Sequence, residues 1–235
     1  MANCSIPNIF HQIWLGEKDI PLFLRGYSIT WKEKHKRWEY MFWNDSKSQL
    51  LIKNNFPHLL PVFENALYLT QKVDIIKYVV LAEFGGVYVD FDYECLRSID
   101  DLLVTSIYIG LEPSDEALHK EFSYFLGSAF MAAAPKSLFF QKTIERCQKL
   151  MELMTPHWQE FGKYHYAMET TGPTLINRVY HDFENKQLVT LFPPEQIGSF
   201  RSREASLYRE NKKIGYGADK LADAYAIHHF IGSWL

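Results

Sequence analysis

The run Val73-Asp74-Ile75-Ile76-Lys77-Tyr78-Val79-Val80-Leu81-Ala82-Glu83-Phe84-Gly85-Gly86-Val87-Tyr88-Val89-Asp90-Phe91-Asp92 decides how this chain reads. Thr70 to Phe84 has helical spacing: Val73, Ile76, Val80 and Phe84 share a face, and Ile75, Val79 and Leu81 make the other faces apolar. A helix apolar nearly all round is a buried one. Thr70 stands where it can cap this helix, and Gly85-Gly86 ends it. Val87-Tyr88-Val89 then reads as a short strand running straight into Asp90-Phe91-Asp92. Alternation puts Asp90 and Asp92 on one side, together with Tyr88, and Phe91 on the other. Two carboxylates held together repel unless a cation lies between them. A divalent ion satisfies both, and hard oxygen ligands suit Mg²⁺ or Mn²⁺. Such an ion can also stabilise a diphosphate as it leaves. The alternative is a pair of solvated carboxylates at a strand end.

Outward from this run, strand and helix alternate. Ile9 to Trp14 reads as a buried strand between Pro7 and Gly16, and Leu22 to His35 as a helix. Tyr40 to Trp43 is a second strand, with Asp45 placed to cap the next helix. Ile107 to Leu111 and Phe125 to Ala133 are further strands. Lys136 to Met154 is a helix opened by Pro135, and Thr174 to Phe183 one opened by Gly172-Pro173. Ala224 to Phe230 is the last strand. This order predicts an α/β fold with a central, mostly parallel sheet, in which ligands sit beyond the carboxyl ends of the strands.

The totals agree. The chain has 235 residues, 47% of them hydrophobic and 16% aromatic, with a net charge of -3. That length suits one domain able to bury a core without cross-links. The charge balance argues against a nucleic-acid binder. Trp31 to Trp38 and Arg201 to Lys213 are locally basic, which suits solvated faces or contact with an acidic membrane surface or anionic substrate. Cys4, Cys95 and Cys147 form neither a metal pair nor a disulfide framework. With no apolar leader and no run of roughly 20 apolar residues, the expectation is a cytoplasmic protein, peripheral at most to a membrane.

Several blocks together resemble the glycosyltransferases with a DXD sugar-binding region. That family includes the yeast-type initiating mannosyltransferases, bacterial capsule and lipopolysaccharide enzymes and, more distantly, the large clostridial glucosylating toxins. Besides the central run, Ile6 to Gly16 resembles its opening strand and Trp38 to Asp45 its second. Phe130 to Pro135 and Thr171-Gly172-Pro173 are similar to its mid-chain blocks, and His228 to Trp234 to its C-terminal block. The blocks keep the family order across nearly the whole chain.

The resemblance implies a GT-A fold over residues 1–235, with a Rossmann-like sheet. It implies a nucleotide-sugar-binding half, about 1–112, and an acceptor half, about 113–235. It also implies a retaining hexosyl transfer from a nucleotide-sugar, with attack by the acceptor hydroxyl on the face the phosphate leaves. UDP-galactose, UDP-glucose and GDP-mannose all occur among such enzymes, and a UDP-sugar is favoured. The acceptor would be a glycan or lipid-linked saccharide in bacterial surface polysaccharide synthesis. Asp92 is the expected metal ligand, and Asp90 touches the metal or the ribose. Asp74 and Lys77 share a helix face at i and i+3. The resemblance puts Asp74 on sugar hydroxyls and Lys77 near the phosphates; the alternative is an internal ion pair. Lys77 stands where the family commonly has Arg, which forks onto phosphate as Lys cannot. Trp14 would stack on the base, or serve as a core residue. Tyr88 shares the side of Asp90. His229, preferred to His228 for its spacing to Gly232, would be a third metal ligand and favour Mn²⁺. Ser233 and Trp234 would complete the metal and phosphate shell. The stretch Pro156 to Glu169, with Trp158, Tyr164, His165 and Tyr166, is the expected acceptor side.

Two rival readings remain. A haloacid-dehalogenase-type phosphatase also carries Asp-x-Asp after an apolar strand, with the first Asp as nucleophile. Tyr93-Glu94 does not suit that motif, and it leaves the other blocks unexplained. A nucleotide-sugar-binding protein without turnover is the second.

Overall fold

The computed structural model describes residues 5–113, 123–212 and 215–232. In chain order the strands are β1 (Ile9–Ile13), β2 (Glu39–Trp43), β3 (Gly86–Val89), β4 (Tyr93–Cys95), β5 (Ile107–Glu112), β6 (Phe125–Ala133), β7 (Val189–Phe192) and β8 (Ala226–His228). The helices are α1 (Leu22–Lys34), α2 (Asp45–Asn55), α3 (Leu60–Glu64), α4 (Leu69–Glu83), α5 (Leu138–Met154), α6 (Trp158–Phe161), α7 (Lys163–Thr170), α8 (Pro173–Asp182), α9 (Pro194–Ile197) and α10 (Ser202–Asn211).

Six strands form one sheet in the order β2-β1-β3-β6-β5-β7. β1 runs parallel to β2 and β3, and β5 parallel to β7; only β6 is antiparallel to its neighbours. This is the α/β architecture with a mostly parallel sheet that the sequence predicts. Alternation sorts the side chains to two faces. Tyr88, Met131 and Ala133 join the core with α2, α4, α5 and α8. Val87, Val89, Phe130 and Ala132 join the core beneath α1, β4 and α9.

α4 is the central helix. Ile76, Val79, Val80 and Leu81 have no exposed surface. Burying each such side chain contributes about 1.5–3 kcal/mol relative to leaving it in water. The helix starts at Leu69, before the expected cap Thr70, because Gln71 reaches back with Oε1 to accept from the Tyr68 amide at 3.2 Å. At its other end Gly85 and Gly86 have φ of +67° and +91°. A Cβ on Gly85 would lie 2.6 Å from the Pro135 nitrogen, and one on Gly86 2.6 Å from the Ile9 carbonyl oxygen. Only glycine lets the chain leave α4 this tightly packed and enter β3 at once. The same turn is locked by His11, which is fully buried. His11 Nδ1 accepts from Trp43 Nε1–H at 3.1 Å, and Nε2–H donates to the Gly85 carbonyl at 2.8 Å. Burial holds this imidazole neutral, with its pKa lowered to about 4 against a smaller opposing effect of the Gly85 bond.

Other boundaries shift for local reasons. Asn44, not Asp45, caps α2, accepting from the Lys47 amide at 3.0 Å. Asp45 instead accepts from the Gly16 amide at 2.9 Å and ties the end of β1 to the start of α2. The helix after Pro135 begins at Leu138, since Lys136 takes a φ of +59° and donates its amide to the Ala82 carbonyl. The expected last strand narrows to Ala226–His228 and lies outside the central sheet, paired antiparallel with β4. Among the described residues, no helix is long and apolar enough to cross a membrane.

Candidate active site

β3 ends against β6, where the Asp90 amide donates to the Ala129 carbonyl at 2.9 Å. The Tyr93 amide then donates to the Asp90 carbonyl, so the chain turns through Asp90-Phe91-Asp92 into β4. Asp90 keeps the parity of Tyr88 and faces α4. Its carboxylate accepts from the Tyr88 hydroxyl and lies 3.3 Å from Lys77 Nζ. The same ammonium is 3.1 Å from Asp74 Oδ1, and Thr171 Oγ1 donates to Asp74 Oδ2 at 3.0 Å. Tyr78 fixes Thr171 from below by donating to its carbonyl.

Asp74 and Lys77 are each 5% exposed, whereas the Asp90 side chain is 29% exposed. The cluster therefore has a buried floor and one open edge. Burial alone would push the Lys77 ammonium down. Asp90 and Asp74 outweigh it and hold the group above its ordinary value. Burial pushes the Asp74 carboxyl up while Lys77 pulls it down. With two carboxylates facing it, the ammonium is the secure charge. Lys77 thus forms the internal ion pair with Asp74 and Asp90, and Asp74 has both oxygens engaged, one by Lys77 and one by Thr171.

Asp92 is held by a different part of the molecule. Its Oδ2 accepts from the Ile231 amide at 2.9 Å, and its carbonyl accepts from the His229 amide. His228 Nε2 lies 3.5 Å from the same oxygen. Burial would raise the Asp92 carboxyl, but His228, the Ile231 amide and His229 overcome it and bring its pKa to about 2. Burial would lower the pKa of His228, but Asp92, Glu112 and Asp90 outweigh it and raise the group above its usual value. Its ring stacks on Tyr93 at 4.5 Å, its partner across the β4–β8 ladder.

His228, then, and not the favoured His229, stands against Asp92, because adjacent residues at a strand end face opposite ways. His229 Nε2 points to Glu94 at 3.1 Å, and its ring stacks on Tyr27 at 4.3 Å. Its Nδ1 is buried without a hydrogen-bond partner among the described residues. Glu94 also pairs with Lys212 at 2.6 Å. Ser233 and Trp234 lie outside the described residues.

Trp14 is half-buried at the end of β1. Its Nε1–H donates to the Lys18 carbonyl at 2.6 Å, and its ring meets Phe91 edge-on at 5.7 Å. Phe42 meets Phe91 in the same way at 6.2 Å. These rings make an aromatic shelf beside the ends of β1 and β2. In the expected acceptor stretch, Tyr166 is fully buried and donates or accepts at Thr155, while Tyr164 is half exposed.

One acidic residue escaped the sequence reading. Glu112 closes β5, and burial raises its pKa; His228, Asp90 and Lys77 are all near enough to act on it. A Cβ on Gly127 would lie 2.9 Å from its Oε1, so glycine in β6 makes room for it. The available signal was a lone carboxylate ending the apolar run Ile107-Tyr108-Ile109-Gly110-Leu111.

The donor chemistry here fits a divalent ion: hard carboxylate oxygens, one held ionised, beside an imidazole. Among the described residues, however, no three His, Cys, Asp or Glu side chains stand in a ligating cluster. Asp92, whose carboxylate is held ionised at the strand end, is a residue that could hold such an ion.

Residues 24–108 match the family model described as a glycosyltransferase sugar-binding region containing a DXD motif. A mannosyl phosphorylinositol ceramide synthase of Saccharomyces cerevisiae is 28% identical over 76% of this chain and 43% of its own length. Inositol phosphoceramide mannosyltransferase 1 of Schizosaccharomyces pombe is 29% identical over 74% of this chain and 50% of its own length. The chain thus spans about half the length of these curated relatives. Among solved structures, the PaToxG glycosyltransferase aligns with a TM-score of 0.59 at 14% identity, covering 94% of this chain and 89% of that one. The UDP-bound glycosyltransferase domain of the YGT toxin aligns at 0.54 and 10% identity, covering 91% and 87%. The galactosyltransferase LgtC aligns at 0.51 and 8%, covering 94% and 87%. At these identities the likeness is one of fold, the GT-A α/β fold.

Proposed function

We propose that this chain, whose residues 24–108 match the glycosyltransferase sugar-binding region containing a DXD motif, transfers a hexose from a nucleotide-sugar to a hydroxyl. The observation that carries this is the pair Asp90 and Asp92 at one strand end. Asp90 is on the open edge of a buried charge cluster, and Asp92 is held ionised with a pKa of about 2. A bound Mn²⁺ or Mg²⁺ would neutralise the donor diphosphate as it departs. Asp92 would hold it, with Asp90 at the ribose or the same ion. Lys77 and Asp74 act beneath them, fixing Asp90 in place. Trp14, on its aromatic shelf, supplies a face for the base. Residues up to about 112 carry the nucleotide-sugar, and those from about 113 carry the acceptor. The acceptor hydroxyl attacks the face that the diphosphate leaves, and its proton passes to the departing phosphate.

For the sugar, we put mannose first. One relative is named an inositol phosphoceramide mannosyltransferase and another a mannosyl phosphorylinositol ceramide synthase, which supports a hexose passed to the polar head of a lipid. That favours a protein working at the surface of a membrane. A UDP-hexose used in bacterial surface polysaccharide synthesis is the second reading, favoured by the likeness in fold to a UDP-bound domain.

The test is donor hydrolysis and transfer. The protein is incubated with GDP-mannose, UDP-galactose or UDP-glucose, with Mn²⁺ or with EDTA, and with inositol phosphoceramide present or absent. Release of one nucleotide, lost with EDTA and in Asp92→Ala, is expected. No release and no metal-dependent nucleotide binding would overturn the reading; binding without release would leave a nucleotide-sugar-binding protein. Release of phosphate from p-nitrophenyl phosphate would instead favour the phosphatase.

A further inference from the structure

α1 buries Leu24, Ser28 and Trp31 against β4 and the sheet. The opposite row carries Leu22 and Ile29, 83% and 50% exposed, with Gly26 between them and Phe23, 50% exposed, at its shoulder. A Cβ on Gly26 would meet nothing within 4 Å, so packing does not call for glycine there. A helix turned to water would carry polar residues along this row, and here only Glu33 at its far end does so. By helical spacing, Arg25 and Lys32 flank the row on one side and Lys34 on the other. Lys36 and Arg37 follow, both exposed.

The local charge is unlike the rest of the chain. Residues 18–38 hold six cations (Lys18, Arg25, Lys32, Lys34, Lys36, Arg37) against Asp19 and Glu33, a net of +4. The whole chain is -3, so everything else sums to -7. An apolar row bordered by basic side chains is the pattern of a helix lying in the headgroup region of an anionic bilayer. The row enters the acyl boundary and the cations meet the headgroups. A protein partner would have to match the same mixed surface on an otherwise acidic molecule.

We propose that the outer face of α1 docks this protein on an anionic lipid surface. The position of α1 gives that contact a use. Tyr27 stacks on His229, and Phe23 meets Tyr27 edge-on at 6.4 Å. A bilayer at Leu22 and Phe23 therefore lies beside the Asp92 end of the site. That use, though not the binding itself, rests on the lipid-borne acceptor of the proposed function.

The experiment is co-sedimentation of the full chain with phosphatidylcholine vesicles, with and without phosphatidylserine. Binding is expected only with phosphatidylserine and should fall as salt rises. Leu22→Ser/Phe23→Ser/Ile29→Ser should weaken it by more than about tenfold. Lys34→Ser and Lys36→Ser should each weaken it roughly fivefold. Circular dichroism melting checks that each variant folds, and donor hydrolysis in solution should stay at the parent level. Equal binding to neutral vesicles, no binding, or a triple variant that binds like the parent would overturn the proposal. So would a dimer that the triple variant dissociates, since the face would then belong to a second copy. Vesicle binding is read without any sugar donor, so its failure is separate from a failure of the transferase reading.

Discussion

Asp90 and Asp92 are two positions apart, yet different parts of the molecule hold them. Asp90 is fixed from the core, by Lys77 of α4 and by Tyr88 on its own strand. Asp92 is fixed by the C-terminal segment, through the Ile231 amide and the His228 ring. The first set lies within fifteen residues of sequence and inside the apolar core. The second joins residues more than 130 apart through a short two-stranded ladder. The difference separates two duties. The core cluster sets where the strand end sits, and the C-terminal segment sets the charge and aim of the carboxylate proposed to hold the metal.

The largest expected effect tests the core side. Lys77→Met leaves Asp74 and Asp90 facing each other in a buried site. Removing one partner of such a cluster costs roughly 3–5 kcal/mol, readable by urea denaturation. His228→Ala should cost much less stability while lowering donor hydrolysis. If both variants lose equal stability, the two regions do not differ as described.

Next comes Asp92→Ala, with a loss of at least about 100-fold in donor hydrolysis and a folded protein by circular dichroism. Asp92 also predicts a pH effect on stability. Its folded pKa of about 2 is below the ordinary 3.8, so it stabilises above the latter and that gain is lost as pH falls towards 2. The whole effect is about 2 kcal/mol.

His11 brings a second acid effect at higher pH. Its folded pKa is about 4 against 6.5 unfolded, so between these values the unfolded chain binds the extra proton. Stability should therefore fall by about 3 kcal/mol as pH drops from 6.5 to 4. Chemical denaturation across this range should give a shallower slope in His11→Gln. An unchanged slope would mean that His11 does not lock the Gly85 turn in the neutral form.

The smallest expected effect concerns Glu94, between His229 and Lys212. Glu94→Gln keeps the shape and removes the charge, and should cost about 1 kcal/mol. A few-fold rise in the Mn²⁺ concentration needed for half-maximal hydrolysis would show that the C-terminal segment tunes Asp92.

This division also marks what the sequence made legible. The core side could be read because its cause is local: the helical spacing of Val73 to Phe84, the glycine pair that Pro135 and Ile9 require, and the alternation of Tyr88 with Asp90. The expected boundaries of β6 match the structure residue for residue, since both of its faces are buried. The C-terminal side was legible only as a block. Which histidine meets Asp92 depends on the β4–β8 register, and no periodicity spans the gap between three-residue strands. Glu112 was missed because its neighbours come from β3, α4 and β8, none adjacent to it in sequence. Thr171 belongs to the block Thr171-Gly172-Pro173, but its bond to Asp74 needs the packing of α7 against α4.

In the proposed function Asp92 serves a metal-bound nucleotide while the core cluster positions Asp90. The deciding measurement is calorimetric titration of GDP and of UDP, with Mn²⁺ and with EDTA, in the parent protein and in Asp92→Asn. One nucleotide should bind the parent only with Mn²⁺, and Asp92→Asn should lose that dependence while melting like the parent. Equal binding with and without Mn²⁺, or Mn²⁺-dependent binding that survives in Asp92→Asn, would rule out Asp92 as the ligand of a nucleotide-bound metal.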